Sequence, residues 1–306
     1  MFNYILNKIN NAKFLDHPFK HIEINDVFEN EHFNKIIDQD QIKFAKMNSD
    51  EELISHLENK NYKPVIFPGC VTNSKDYIKW HGNKKNKNLN VSSTEGFGMT
   101  YRLTNAESEI ISKLVTFLSS NEFQQVIAKK FSIDLKDVYF DQGIQKYLDG
   151  YEISPHPDLR SKALTFMFNI NPNTSSENIN HHTHYMRFKN NYKYVEEFWK
   201  GNLNFDRCWV PWDWCETIKT QTKNNSVVIF SPDNNTMHAV KAKYDHLSYQ
   251  RTQLYGNLWY KKELKKIKSI ISQPKWENFV IKKSEQKPEK TIATKISDKT
   301  RSLFKN

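Results

Sequence analysis

The chain has 306 residues, 38% of them hydrophobic and 13% aromatic, with a formal net charge of +10. That length fits one embellished domain or two small ones, and the apolar content excludes a disordered chain. With 8 glycines and neither a G-x-G-x-x-G nor a G-x-x-x-x-G-K-[ST] run, dinucleotide-binding and P-loop readings lose their main support.

In chain order, HIEINDV (21–27) alternates as a strand, and FENEHFNKIID (28–38) carries Phe28, Phe33, Ile36 and Ile37 at helical spacing. Residues 50–60 predict a helix, and the polar, turn-rich stretch 81–97 predicts a loop. A further helix is expected within 105–131, where Ile110, Ile111, Leu114, Val115 and Leu118 recur at three and four. Asn105 is its expected cap, with Glu107 and Glu109 in the first turn.

From 138 the texture changes to short strands: VYFDQGIQKYLDG, YEISPHPD, KALTFMFNIN, ETIKTQT, NSVVIFSPD, MHAVKAKY and QRTQLYGNLWY. Their number and spacing predict a sandwich, jelly roll or barrel. Residues 172–214 read as a long aromatic insertion between strands, and the tail from about 282 as polar and mobile.

His156 and Asp158 stand two apart near a strand end, so their side chains share a face. His238, opening a later strand, supplies a third ligand. Two histidines and one carboxylate make the facial arrangement that holds Fe(II) with positions left open. Arg251 begins the next strand, and a buried arginine facing a barrel interior is costly unless an anion meets it.

With H156-P-D158, H238 and R251 in this order, the sequence resembles the 2-oxoglutarate and Fe(II)-dependent oxygenases, closest to the prolyl-4-hydroxylase-like branch. Tyr147 in IQKYLDG and the run ALTFMFNIN after the turn support the resemblance, which covers roughly 138–260, with a weaker likeness at 18–38. It implies a mainly β fold with α, a double-stranded β-helix (jelly roll) supported by N-terminal helices. It implies an α-rich support region over 1–137, a catalytic core over 138–265 with the insertion at 172–214, and a basic extension over 266–306, partly mobile. It further implies that His156, Asp158 and His238 bind iron and that Arg251 holds the far carboxylate of 2-oxoglutarate. Tyr147 matches a tyrosine that bonds the same carboxylate in some members, and reads equally well as core. O2 is the expected oxidant. A carboxylate at Asp158 favours hydroxylation over halogenation, because halogenating relatives carry a small residue there. His246 is a lower-ranked rival ligand in the turn before Arg251.

The substrate is open between a small polar or anionic molecule, such as a sugar or lipid-linked glycan, and a protein or peptide residue. Outside the class, a non-catalytic jelly-roll module that binds carbohydrate is the alternative. His181, His182 and His184 read as loop residues, some facing the site. With Cys208 and Cys215 they fit no usual zinc spacing. The Trp-rich WVPWDW (209–214) reads as packing before recognition. The positive charge suits an anionic membrane surface, through KKELKKIK (261–268), or a simply solvated surface. The lysine runs there and at 84–87 lack the aromatic interleaving of a single-strand binder, so nucleic acid is not expected. Three cysteines without C-x-x-C, no long apolar run and no secretory signal predict a cytoplasmic protein, peripheral to a membrane if associated with one.

Overall fold

The computed structural model describes residues 1–66, 71, 73–82 and 98–261. Cys70, the lysine run at 84–87, the expected loop beyond residue 82, all of KKELKKIK after Lys261, and the extension over 266–306 lie outside the described residues. None of the described helices is long and apolar enough to cross a membrane.

The N-terminal region supplies helices α1 (Tyr4–Asn11), α2 (Asn30–Ile37), α3 (Asp50–Asn59), α4 (Ser74–Gly82), α5 (Glu109–Leu118) and α6 (Asn121–Lys130). It also supplies strands β1 (Ile22–Asn25), β2 (Tyr62–Pro64) and β3 (Thr100–Leu103). Residues 81 and 82, expected in a loop, end α4. The helix expected within 105–131 is two helices. Ser108 caps α5 by accepting the Ile111 amide, and Ser120 caps α6 by accepting that of Phe123. The cap is therefore Ser108 and not Asn105, because a serine hydroxyl one residue before the first turn reaches an orphan amide.

Eight strands follow: β4 (Val138–Tyr147), β5 (Glu152–His156), β6 (Lys162–Asn169), β7 (Thr183–Phe188), β8 (Cys215–Thr220), β9 (Ser226–Phe230), β10 (His238–Lys241) and β11 (Arg251–Tyr260). They pair antiparallel in two sheets, ordered β1-β9-β6-β11-β4-β3-β2 and β5-β10-β7-β8. Each sheet holds four of the eight, which makes a jelly-roll sandwich. The three N-terminal strands lengthen the larger sheet at both ends. Seven of the eight were expected. The eighth, β7, lies inside the stretch expected as an insertion and is a central strand of the smaller sheet. Its pairing with β8 shifts register between Tyr185 and Met186, so both are buried and the alternation that marks a strand is broken.

The helices cover one face of the larger sheet. Ile144, Phe166, Phe168, Val227, Ile229 and Leu254 pack there with Phe28, Ile36, Leu114 and Ile127. Met167, Val228 and Phe230 point the other way, with Tyr185 of β7, and begin the space between the sheets. Around the smaller sheet, Met186, Phe188, Met237 and Ala239 pack with Trp199 of α7 (Tyr194–Gly201) and with Trp212 and Trp214. The Trp-rich stretch is thus packed onto the smaller sheet, with the Trp212 indole donating to Glu152 at 2.7 Å.

Lys146 lies on the helix-covered face of β4 with no solvent exposure. Its ammonium donates to the Ile42 carbonyl at 2.6 Å and to Thr252 Oγ1 at 2.9 Å, and sits 4.4 Å from the Phe44 ring centre. Burial pushes its pKa down to about 7. The folded-state value lies below the unfolded one, so between the two the unfolded chain binds more protons, and stability rises with pH. Lys146→Met is expected to remove that rise. Urea unfolding should show wild type gaining on the order of 2 kcal/mol over the variant between about pH 7.5 and about pH 9.5. Parallel curves would mean that Lys146 keeps its proton when folded.

Candidate metal centre

His156 ends β5 and His238 opens β10, and the two residues are direct partners across the antiparallel pair. Their rings lie 4.3 Å apart between centres. Asp158 follows the Pro157 turn with a φ of 65°, a left-handed conformation that aspartate tolerates, and this returns its carboxylate to the same side. Asp158 Oδ1 is 3.5 Å from His156 Nε2, and Oδ2 is 3.8 Å from His238 Nε2. The three residues are 6–7% exposed.

Hydrogen bonds set the histidine tautomers. Nδ1 of His156 lies 2.8 Å from the Ser154 carbonyl and Nδ1 of His238 lies 2.9 Å from that of Thr236. A carbonyl only accepts, so Nδ1 carries the proton in each ring and the Nε2 lone pairs face Asp158. Burial, followed by the neighbouring His156, pushes the His238 pKa down to about 3, so it is a neutral donor at ordinary pH. Burial alone would raise the Asp158 carboxyl, but the Lys162 ammonium beside it holds it well below the usual range.

Asp158 is held from behind by two residues that the sequence did not single out. Lys162 donates to Oδ1 at 2.7 Å and to the Tyr255 hydroxyl at 2.8 Å, and Thr165 donates to Oδ2 at 2.8 Å. The available signal was a polar Thr165 sharing a face with Asn169 along the apolar strand β6.

The group fits a divalent ion. Two ligands on one ion about 2.1 Å away stand about 3 Å apart at right angles and about 3.4 Å apart at the tetrahedral angle. The 3.5 and 3.8 Å separations exceed hydrogen-bond length and lie nearer the wider spacing. A second group, Asp50, His81 and His246, differs. His81 Nδ1 and His246 Nε2 lie 2.6 and 2.7 Å from the Asp50 oxygens, which are hydrogen-bond lengths. The Asp149 amide donates to His246 Nδ1 at 2.9 Å, so His246 carries its proton on Nε2 and donates it to Asp50. His246, the lower-ranked rival ligand, therefore belongs to a proton-sharing network and not to the His156 group. Among the described residues, no group with metal-ligand spacing includes His181, His182, His184, Cys208 or Cys215.

Arg251 opens β11 opposite Tyr147 of β4 and is 2% exposed. Its Nη2 donates to Thr183 Oγ1 at 3.0 Å and to Gln253 Oε1 at 2.9 Å. Its Cζ lies 4.4 Å from the centre of the Tyr147 ring. Nη1 is buried without a partner, and no carboxylate among the described residues pairs with the guanidinium. Burying an unpaired cation costs several kcal/mol, which an anion beside the guanidinium would offset. Tyr147 meets Arg251 through its ring, and its hydroxyl lies 2.6 Å from the Gln145 amide. With that amide turned so that its oxygen accepts from Arg102, its nitrogen donates to Tyr147.

Topology and site define a jelly-roll sandwich of two antiparallel sheets with a buried His-Asp-His group. In overall structure the chain is similar to a prolyl-4-hydroxylase from Pseudomonas putida, at 7% identity and a TM-score of 0.43, covering 86% of this chain and 100% of that one. It is also similar to an oxidoreductase of the 2OG-Fe(II) oxygenase family from Burkholderia pseudomallei, at 9% identity and a TM-score of 0.32, covering 71% and 93%. A third similar structure is EvdO2 from Micromonospora carbonacea var. aurantiaca, complexed with 2-oxoglutarate, at 11% identity and a TM-score of 0.29, covering 71% and 92%. No family model and no curated protein matches the chain.

Proposed function

We propose that the protein is an Fe(II)- and 2-oxoglutarate-dependent oxygenase that hydroxylates a small polar or anionic molecule, such as a sugar or lipid-linked glycan. The observation that carries the reading is the pairing of two sites: Nε2 lone pairs and a carboxylate converging without a hydrogen bond between them, and a buried guanidinium with a free Nη1. His156, Asp158 and His238 would hold the iron on one side, leaving its other positions for the 2-oxo acid and O2. Arg251 would hold the far carboxylate through a charge-assisted bond. Bound together, iron and 2-oxoglutarate supply the oxidising power, with succinate and CO2 as by-products.

The chain's own contribution is positional. The carbonyls of Ser154 and Thr236 keep both imidazoles facing the ion. Lys162 and Thr165 orient the carboxylate, and bonds of this kind raise affinity for the ion. Burial of all three ligands keeps water from competing. The non-catalytic carbohydrate module loses support, because Trp212 and Trp214 pack onto the smaller sheet and are not held out as a stacking platform.

The test is thermal stability under anaerobic Mn(II), with and without 2-oxoglutarate. Wild type should gain several degrees with both ligands, and His156→Ala should show neither shift. A wild type indifferent to 2-oxoglutarate would sink the reading.

A further inference from the structure

His181 lies two residues before Thr183, the residue that takes Arg251 Nη2. It is 1% exposed, and both of its ring nitrogens are buried without a partner. The ring packs edge-on against Tyr244, with 5.0 Å between centres, and lies 4.4 Å from that of His182. The Tyr244 hydroxyl in turn accepts the Arg251 amide at 3.0 Å and donates to the Tyr147 carbonyl. The segment 181–183, Tyr244 and Arg251 therefore form one wall. Its neighbours have settled partners: His182 Nε2 meets the Ser176 carbonyl at 2.8 Å, and His184 Nδ1 meets Thr217 Oγ1 at 3.1 Å.

An unpaired buried polar atom costs about 1–3 kcal/mol. Three such atoms belong to this wall: both His181 nitrogens and Arg251 Nη1. A structural ring in an apolar core would be expected to bond one nitrogen to a nearby carbonyl, as His156, His182 and His238 do. Burial, then His182 and Arg251, lowers the His181 pKa to about 2. The ring is therefore neutral, with one N–H to give and no charge to neutralise.

We propose that His181 is a second binding residue for the far carboxylate of the 2-oxo acid. It donates a ring N–H to that group beside Arg251 and sets the preference of the site for a dicarboxylate over a monocarboxylate. The inference rests on the oxygenase reading and deepens it. Arg251 alone offers one free nitrogen to a carboxylate that presents two oxygens, and His181 supplies a donor for the second.

The experiment is anaerobic calorimetry on Mn(II)-loaded protein with 2-oxoglutarate and with pyruvate, a 2-oxo acid lacking the far carboxylate. His181→Phe keeps the ring and removes the donor. It is expected to weaken 2-oxoglutarate about 10- to 100-fold, the range of one bond to a charged group. The affinities for Mn(II) and pyruvate should stay unchanged. An unchanged 2-oxoglutarate affinity, or an equal loss for pyruvate, overturns the role of His181 and leaves the oxygenase reading standing. Wild type that binds neither acid overturns both. A second measurement needs no variant. In Zn(II)-loaded wild type with 15N-labelled histidine, one ring N–H signal should move with 2-oxoglutarate and not with pyruvate. Identical responses to the two acids would count against the proposal whatever the variant does.

Discussion

Asp158→Asn is expected to remove metal binding and also to destabilise the fold, and adding Lys162→Met is expected to restore the stability but not the metal. The Lys162 side chain is only 10% exposed, and its ion pair with Asp158 Oδ1 at 2.7 Å is the charge that balances it. Removing one partner of a buried pair costs about 3–5 kcal/mol, because the remaining charge has neither water nor counter-charge. Replacing both by uncharged residues of similar size is close to neutral. Asparagine suits the test because it accepts a φ of 65° as readily as aspartate, so backbone strain does not enter. Urea unfolding of the two single variants and the double variant gives the coupling energy, and Mn(II) titration gives the affinity. A double variant as unstable as Asp158→Asn would mean that the carboxylate stabilises through Thr165 and the histidines and not through Lys162. Retained Mn(II) binding in Asp158→Asn would exclude it as a ligand.

Arg251→Met should separate stability from binding in the opposite direction. The guanidinium is buried with a free Nη1 and no carboxylate, and its polar contacts are Thr183 and Gln253. An apolar side chain of similar length relieves that unpaired charge, and such replacements stabilise by about 1–4 kcal/mol. The variant without ligand is therefore expected to melt higher than wild type. Its affinity for 2-oxoglutarate should fall by at least about a hundredfold, as truncating a charge-paired contact costs about 2–5 kcal/mol. Mn(II) affinity should not change, since Arg251 contacts none of the three ligands. Calorimetry of the Mn(II)-loaded variant reads both constants. Equal loss of metal and 2-oxo acid would place Arg251 in the support of the metal group instead of the anion pocket.

The buried His-Asp-His group was legible because its parts have local signatures. His156 and Asp158 are two residues apart on one face, and His238 and Arg251 each open a strand whose apolar run is readable. What lay across the sheets was not legible, because periodicity reports which face a residue takes and not its partner there. Lys162 and Thr165 give no such sign, and Tyr147, expected to bond the far carboxylate, meets Arg251 through its ring and turns its hydroxyl to Gln145. Strand β7 was hidden by its register shift. The break between α5 and α6 falls where the apolar spacing steps by five, from Leu118 to Phe123 across Ser119 and Ser120, and the cap bonds mark it. The surroundings of Arg251 depended on the hidden strand, since Thr183, which takes its Nη2, opens β7.

The strands contributed by the first hundred residues have a consequence for how the fold may be dissected. β1 pairs with β9 and β3 pairs with β4, so residues 22–25 and 100–103 close the two open margins of the jelly roll's larger sheet. A fragment beginning at residue 138 would expose the backbone amides and carbonyls of β4 and β9 along two adhesive rims. Such rims recruit other chains, so that fragment would self-associate through its sheet before it could present a metal site.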